Sequence, residues 1–218
     1  RRQSLETSQS TEYDLIIVGG GITGAGVARD ASSRGMKVLL LEASDFASGT
    51  SSRSSKLVHG GIRYLENFEF PLVHEALTER KILLEIAPHL VHPLRFVMPI
   101  YKHSRVGRFK MSLGMILYDL LSLFESPELH EHLGPEETKR RSPSLKDEEL
   151  TGSFIYSDAY MDDDRLVLEN LRSAHRMGAG LLNYVNVEAI DDSQESCTID
   201  IKDELSGQSY QVRSKHVV

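Results

Sequence analysis

The stretch that decides the fold is residues 13–42, YDLIIVGGGITGAGVARDASSRGMKVLLLE. Its apolar run over 15–18 is typical of a strand buried on both faces. Glycines follow at once, and the small residues 25–33 then favour a helix that ends at Gly35. A second apolar run over 37–41 closes the stretch. The pattern therefore predicts strand, glycine turn, helix and strand, which is the opening of an α/β fold.

The glycine turn has the spacing G-x-G-x-x-G, in which each glycine has a physical role. Gly19 permits the tight turn, Gly21 lets the backbone approach a diphosphate, and Gly24 lets the helix lie close to the strand. Free amides at the helix start attract phosphate, and a carboxylate at the end of the second strand can accept hydrogen bonds from ribose hydroxyls. The residues predicted to bind a dinucleotide here are Gly19, Gly20, Gly21, Ile22, Thr23, Gly24, Glu42 and Ala43.

Composition is that of an ordinary globular protein. The 218 residues are 40% hydrophobic and 26% charged, and the formal net charge of −7 argues against a general nucleic-acid binder. The single cysteine, Cys197, excludes an internal disulfide and fits a reducing compartment. It lies in a strand-like alternation, which favours a structural role. No apolar run approaches the roughly 20 residues that a bilayer-spanning helix needs.

A loop rich in hydroxyls follows the second strand, at the sheet edge where open α/β folds bind ligands. Small hydroxyls and backbone amides can bond the ribityl chain and ring edge of a flavin without bulk. The glycine pair at 60–61 would let the backbone pass close to a flat ring. The alternative is a flexible serine linker. The residues predicted to contact a flavin are Thr50, Ser51, Ser52, Ser54, Ser55, Lys56, Leu57, His59, Gly60 and Gly61.

Residues 49–66, GTSSRSSKLVHGGIRYLE, closely resemble the flavin loop of the FAD-dependent, quinone-linked (aerobic) glycerol-3-phosphate dehydrogenases. Residues 17–26 and 156–163 resemble the same family. The resemblance implies an α/β protein with a Rossmann-like FAD-binding domain of the glutathione-reductase/D-amino-acid-oxidase type, with part of an interleaved second domain. We expect residues 1–12 to be a disordered leader. Residues 13–218 are then an incomplete FAD-binding oxidoreductase domain that lacks the C-terminal substrate and cap regions.

The resemblance also implies a reaction. FAD would accept a hydride as sn-glycerol 3-phosphate is oxidised to dihydroxyacetone phosphate, and the electrons would pass to quinone at a membrane. The implied location is cytoplasmic, on the inner face of the cell membrane, and a homodimer is left open. Two alternatives stay open: an oxygen-using FAD oxidase of the same fold, acting on glycerol 3-phosphate or on an amine or hydroxy acid, and a non-catalytic flavin-binding module.

Three residues are candidates for the chemistry of that reaction: His59, Arg63 and Tyr64. The resemblance implies that the last two lie near the substrate. Arg63 could pair with the substrate phosphate, because guanidinium matches phosphate geometry, or it could be an ordinary ion-paired arginine. Tyr64 could bond the substrate or cover the flavin. His59 could take the hydroxyl proton, but its place between Val58 and Gly60 favours a structural loop histidine. The resemblance implies that the base follows residue 218.

Residues 102–124 combine a basic entry with an apolar run. One interpretation is a core helix, and the other is a helix at a membrane interface, with cations meeting anionic lipid. The acids at 162–164 favour the cap of a helix rather than a metal site, so we expect no metal. Further predictions are a helix over 70–87, an edge strand over 95–101, a helix start at Ser126-Pro127, and strands over 181–190, 197–201 and 210–218.

Overall fold

The chain divides into two compact units, and the second is inserted within the first in sequence. Unit 1 comprises the residues up to Ser55 and Asp163–Val218, and unit 2 comprises Lys56–Asp162. The computed structural model describes residues 2–193 and 195–218. Short 3₁₀ helices cover Thr50–Ser52 and Ile62–Asn67. The other elements are α1 (Arg2–Gln9), β1 (Glu12–Val18), α2 (Ile22–Ser33), β2 (Val38–Leu41), β3 (Leu57–Val58), α3 (Phe70–Ile86), β4 (Val91–Tyr101), α4 (Arg108–Leu121), β5 (Glu131–Leu133), α5 (Pro135–Arg141), β6 (Leu150–Met161), α6 (Asp163–Arg176), β7 (Gly180–Leu182), β8 (Val185–Asp191), β9 (Cys197–Asp203) and β10 (Ser209–Val217).

Unit 1 is built on a six-stranded sheet in the order β7-β2-β1-β10-β9-β8. The pairs β7–β2, β2–β1 and β1–β10 are parallel, whereas β9 runs antiparallel to both β10 and β8. The predicted strand, turn, helix and strand are present as β1, α2 and β2. The α/β class predicted from this stretch and the Rossmann-like arrangement implied by the resemblance are confirmed.

The two faces of this sheet have separate apolar cores. On one face Ile17 and Leu40 pack with Ala25 and Ala28 of α2 and with Val167 of α6. Both alanines are fully buried. Because their side chains are short, α2 lies close to the sheet, as the small-residue pattern predicts.

On the opposite face of the sheet, the structure corrects the prediction made for residues 1–12. Residues 2–9 form helix α1 instead of a disordered leader, since Leu5 is only 1% exposed and packs with Ile16 and Leu39; residue 1 lies outside the described residues.

The single strand expected over 181–190 is divided into β7 and β8. Tyr184 between them has φ +52°, a left-handed conformation that a continuous strand cannot contain.

Unit 2 is an antiparallel sheet covered by helices. Strand β6 pairs with β4 along one side and with β3 and β5 along the other. The edge position of β4 is as predicted and accommodates Pro93 and Pro99, whose nitrogens cannot donate. Helix α3 has Pro71 in its first turn, also as predicted. The buried apolar core of unit 2 consists of Val73, Leu77, Ile100, Met115, Tyr118, Phe154 and Tyr156.

The helix start expected at Ser126-Pro127 is wrong. Residues 126–130 form no helix. The hydroxyl of Ser126 accepts a hydrogen bond at 2.7 Å from the Arg80 guanidinium instead of capping a helix. The Ser126 hydroxyl, which the local pattern predicts to cap a helix, therefore binds the buried Arg80 instead.

Candidate functional site

The glycine turn of unit 1 brings β1 and α2 into close contact. Gly19 has φ +114°, a conformation that favours glycine. A Cβ on Gly24 would lie 2.0 Å from the carbonyl oxygen of Gly19 and 3.3 Å from a methyl of Ile17. Any larger residue at position 24 would force the helix away from the strand. The turn and packing roles predicted for these two glycines are therefore met by the geometry.

Glu42, at the end of β2, ties the glycine turn to the loop that follows. One carboxylate oxygen accepts the amide of Gly20 at 2.7 Å, and the other accepts the amide of Ser44 at 2.7 Å. A carboxylate offers about four acceptor positions, so two remain for further donors. Glu42 can thus hold the turn and still accept hydrogen bonds from ribose hydroxyls. Ala43, the next predicted residue, is exposed.

The hydroxyl-rich loop returns to the start of α2. The Ser51 hydroxyl accepts the amide of Ile22 at 2.9 Å, and a Cβ on Gly21 would lie 3.1 Å from that same oxygen. The first N–H groups of a helix have no partner within it, and the helix dipole favours an anion there. Amides, a hydroxyl and bare glycines therefore meet at one helix start. These residues fit the diphosphate of a dinucleotide such as FAD.

Farther along the loop, Ser54 contacts the start of α6. Its hydroxyl donates to a carboxylate oxygen of Asp163 at 2.6 Å, and the other oxygen of Asp163 accepts the amide of Asp164 at 3.0 Å. The acids at 163–164 thus lie in the first turn of a helix, as the capping interpretation predicts. In the described part of the chain no group of three or more His, Cys, Asp or Glu residues is placed to hold a metal ion.

Unit 2 contains a cavity of about 590 Å³ that gathers the three candidate catalytic residues. His59, Arg63 and Tyr64 line this cavity, and all three residues are exposed. His59 is therefore not the packed loop histidine that its neighbours in sequence favoured. Tyr156 and Asp158 line the same cavity and were not predicted as site residues.

Tyr156 is held in the cavity wall by two aromatic contacts. Its ring stacks on Phe96 with centroids 5.4 Å apart and meets Tyr118 edge-on at 5.9 Å. Burial raises the pKa of Tyr156 to about 12; nearby Asp158 adds to the rise, and Arg63 opposes it. The phenol therefore keeps its proton at neutral pH and offers a hydrogen-bond donor to the cavity.

The glycine pair after His59 lies against the side chains of unit 2 itself. A Cβ on Gly60 would lie 2.4 Å from Leu77 and 2.5 Å from the Tyr118 hydroxyl, and one on Gly61 would lie 2.4 Å from the Tyr64 ring. The absence of Cβ at Gly60 thus makes room for α3 and α4, not only for a ligand. Gly61 also has φ +68°, which favours glycine.

Besides Tyr156, sequence reasoning missed three residues that are linked by hydrogen bonds: Arg80, Tyr118 and Asp158. These three are at most 2% exposed. One signal was available, because Arg80 continues the spacing of the buried residues Val73 and Leu77 on α3, where a cation is unusual. Asp158 is likewise an acid within a strand that is buried along most of its length. A charged residue at a buried position indicates that an oppositely charged or hydrogen-bonding residue lies beside it. The sequence pattern does not identify that residue.

Parallel strands β2, β1 and β10 with a glycine turn, a helix start and a strand-end carboxylate define a nucleotide-binding α/β protein. Residues 14–218 match the family model described as FAD dependent oxidoreductase. The chain therefore belongs to the FAD dependent oxidoreductase family. Its fold class and its resemblance to the glycerol-3-phosphate dehydrogenases are confirmed by the relatives that follow.

Two curated relatives are named for one activity. A glycerol-3-phosphate dehydrogenase of Synechocystis is 44% identical over 213 residues, and an aerobic glycerol-3-phosphate dehydrogenase of Staphylococcus aureus is 42% identical over 212 residues. Each alignment covers 96% of this chain but only 38% of the relative. The chain therefore spans less than half of the length of these proteins.

Solved structures agree with this assignment. The glycerol-3-phosphate dehydrogenase of Bacillus halodurans, solved in complex with FAD, matches with a TM-score of 0.76 and 33% identity over 100% of this chain and 36% of that one. The glycine oxidase of Geobacillus kaustophilus matches with a TM-score of 0.69 at 20% identity, over 94% of this chain and 54% of that one, and shows the fold alone.

Proposed function

We propose that this chain is part of an enzyme that oxidises sn-glycerol 3-phosphate to dihydroxyacetone phosphate with FAD and passes the electrons to quinone. The observation that carries the proposal is the cavity of unit 2, which is lined by Arg63, Tyr64 and His59. It is supported by relatives that are named glycerol-3-phosphate dehydrogenase. FAD, when bound, supplies the acceptor for the two electrons and the hydrogen that leave C2 of the substrate.

Each residue at the cavity has a role in this proposal. Arg63 pairs with the substrate phosphate, for which a planar guanidinium provides parallel donors. Tyr64 and the protonated phenol of Tyr156 offer hydrogen bonds to the substrate oxygens. His59 is the candidate in this part of the chain for the group that takes the proton of the C2 hydroxyl. In unit 1, Glu42 and the start of α2 hold the ribose and diphosphate.

We infer the quinone acceptor and a location on the inner face of the cell membrane from the exposed surface of α4. Phe109, Leu113, Ile116 and Leu120 are 86%, 59%, 51% and 51% exposed. Their spacing of four, three and four residues places them on one helix face. Met115 and Tyr118 on the other face are buried in the core of unit 2. An apolar stripe of this length on a monomer surface is unusual and marks an interaction site.

The partner that we propose for this stripe is an anionic lipid surface. Arg108 and Lys110 lie in the first turn of α4, and Arg105 precedes the helix, so these cations are next to the stripe in sequence. Glu66 forms an ion pair with Arg105 and lowers the local charge by one. Basic residues beside an apolar helix face suit the headgroups and acyl boundary of such a membrane. No helix in the described part of the chain is both long and apolar enough to cross a bilayer.

Anaerobic reduction of the full-length protein tests the reaction. Glycerol 3-phosphate should bleach the flavin absorption, and a soluble quinone analogue should restore it faster than oxygen does. Arg63→Ala should raise KM for glycerol 3-phosphate by roughly 10- to 100-fold, because a hydrogen-bonded charge is lost. The control is Arg165→Ala, which removes an exposed arginine of α6. A flavin that glycerol 3-phosphate leaves oxidised, or an unchanged KM in Arg63→Ala, contradicts the proposal.

A further inference from the structure

Three ionisable side chains meet in the interior of unit 2. Arg80 of α3, Tyr118 of α4 and Asp158 of β6 are 1%, 1% and 2% exposed. The Arg80 Nη1 lies 2.6 Å from Oδ1 of Asp158, and the Tyr118 hydroxyl donates to the same oxygen at 2.9 Å. Arg80 also donates to the carbonyl of Ser157 at 2.7 Å and to the hydroxyl of Ser126 at 2.7 Å. We call Arg80, Tyr118 and Asp158 the buried triad.

The buried triad holds one backbone amide. The N–H of Gly60 donates to the Tyr118 hydroxyl at 3.0 Å and to Oδ1 of Asp158 at 3.2 Å. Gly60 is itself buried and lies directly against Tyr118 and Leu77. The chain is therefore clamped at this residue by polar groups from two other elements.

The chain direction after Gly60 sets the place of the cavity residues. Gly61 turns the backbone through a left-handed conformation and begins the short helix Ile62–Asn67, which carries Arg63 and Tyr64. Ile62 and Leu65 of that short helix pack partly against the core of unit 2, whereas Arg63 and Tyr64 are exposed. The amide of Gly60 is thus the anchored point from which Arg63 and Tyr64 extend into the cavity.

Charge gives the buried triad a second consequence. Asp158 lines the same cavity as Arg63, where an uncompensated carboxylate would repel a phosphate group. Arg80 neutralises it from the side of the core. Buried ion pairs often add no net stability compared with apolar side chains of equal size. A role in placing Gly60 and balancing charge explains this arrangement better than stability does.

We propose that Arg80 and Asp158 are positioning residues for the reaction: through the amide of Gly60 they set the place of Arg63 in the substrate cavity. Tyr118 completes the arrangement by accepting from Gly60 and donating to Asp158. The role of Arg63 in this statement rests on the proposed function, whereas the anchoring of Gly60 does not.

Hydrogen–deuterium exchange on the full-length holoenzyme, without substrate, tests the anchoring. Tyr118→Phe removes one hydroxyl and keeps the ring in place, and Asp158→Asn replaces the carboxylate by an amide of equal size. Both should increase exchange in a peptide that covers residues 57–67, at least tenfold at Gly60. Lys81→Met should leave this peptide unchanged, because Lys81 is the neighbouring cation of α3 and pairs with Glu125 at the surface.

Kinetics test the link to Arg63. Asp158→Asn should raise KM for glycerol 3-phosphate about tenfold, and Arg80→Lys should recover part of the loss seen in Arg80→Met. In an Arg63→Ala background Asp158→Asn should raise KM much less, because residues that act through one another are not additive. A purely structural role would give equal effects in both backgrounds.

The outcomes separate the two proposals. If glycerol 3-phosphate does not reduce the unmodified enzyme, the proposed function fails, while the exchange experiment still reports on Gly60. If the unmodified enzyme is reduced but Asp158→Asn acts equally with and without Arg63, the positioning role is wrong. Unchanged exchange over residues 57–67 in both Tyr118→Phe and Asp158→Asn also overturns it.

Discussion

Tyr156 shows how burial sets the proton affinity of a single residue. The residue is 8% exposed, and its ring contacts those of Phe96 and Tyr118. An exposed tyrosine titrates near pH 10, whereas burial raises the pKa of Tyr156 to about 12. The protonated phenol is the neutral form, so the folded state retains this proton over a range in which the unfolded state has lost it.

This difference predicts a pH dependence of stability. A folded pKa above the unfolded one contributes stability below about pH 10, and this contribution is lost as pH rises through about 12. Relative to Tyr156→Phe, the protein should lose on the order of 1 kcal/mol between these values, after allowance for solvent screening. Urea unfolding of both proteins at pH 8 and pH 11 measures the change. Equal differences at the two pH values would contradict the raised pKa.

At the scale of the element, α4 carries apolar side chains on two faces. Met115 and Tyr118 lie in the core, while Leu113, Ile116 and Leu120 are about half exposed. An ordinary amphipathic helix with one apolar face would carry polar or charged residues on its outer side. The outer side of α4 instead offers apolar area to a partner, which we propose to be lipid.

Vesicle binding tests this surface. Leu113→Glu places a charge within the stripe and should reduce co-sedimentation of the full-length protein with phosphatidylglycerol-containing vesicles by about tenfold or more, since burying a charge in lipid is costly. The control is Leu205→Glu, because Leu205 is 63% exposed in the β9–β10 turn of unit 1. Binding should be weaker to vesicles of phosphatidylcholine alone and should fall with added salt.

One result would contradict lipid as the partner of α4. If Leu113→Glu leaves vesicle binding unchanged but lowers the unfolding midpoint, the stripe is covered by protein. A similar loss of vesicle binding in Leu205→Glu would show that added negative charge, rather than the α4 stripe, causes the effect.

At the scale of the whole molecule, binding of FAD should be linked to the stability of the fold. A ligand that binds only the native state stabilises it by about 2.7 kcal/mol at a free concentration 100 times its Kd. The full-length protein should therefore unfold at a higher temperature with added FAD than after the cofactor has been removed. Thermal unfolding of the apoprotein over a series of FAD concentrations measures this shift.

Two glycines of α2 provide matched variants for that measurement. Gly24→Ala places a Cβ 2.0 Å from the Gly19 carbonyl oxygen and should abolish most of the FAD-dependent shift. Gly26→Ala has no atom within 4 Å of the new Cβ. It should keep the shift and add roughly 0.5–1 kcal/mol of stability, as expected for alanine in a helix. A full FAD-dependent shift in Gly24→Ala would mean that the cofactor does not depend on this turn.

The extent of sequence prediction differs between the two units. In unit 1 the glycine spacing and the apolar runs predict β1, α2 and β2, because each signal is local and each element needs only its own residues. The same reasoning missed α1, since the short polar segment 2–9 becomes a helix only where Leu5 finds a sheet face to bury against. Local polarity carried no information about that contact.

The sequence by itself determined the nucleotide-binding turn of unit 1 and, through the resemblance, the family and the candidates Arg63 and Tyr64, because these depend on the order and spacing of residues. Only the tertiary structure decided what holds the chain at Gly60. Asp158 lies 98 positions away from Gly60 and 78 from Arg80. Contacts over such separations form when α3 and α4 pack on β6, and no periodicity along the chain encodes which buried charge will meet which amide.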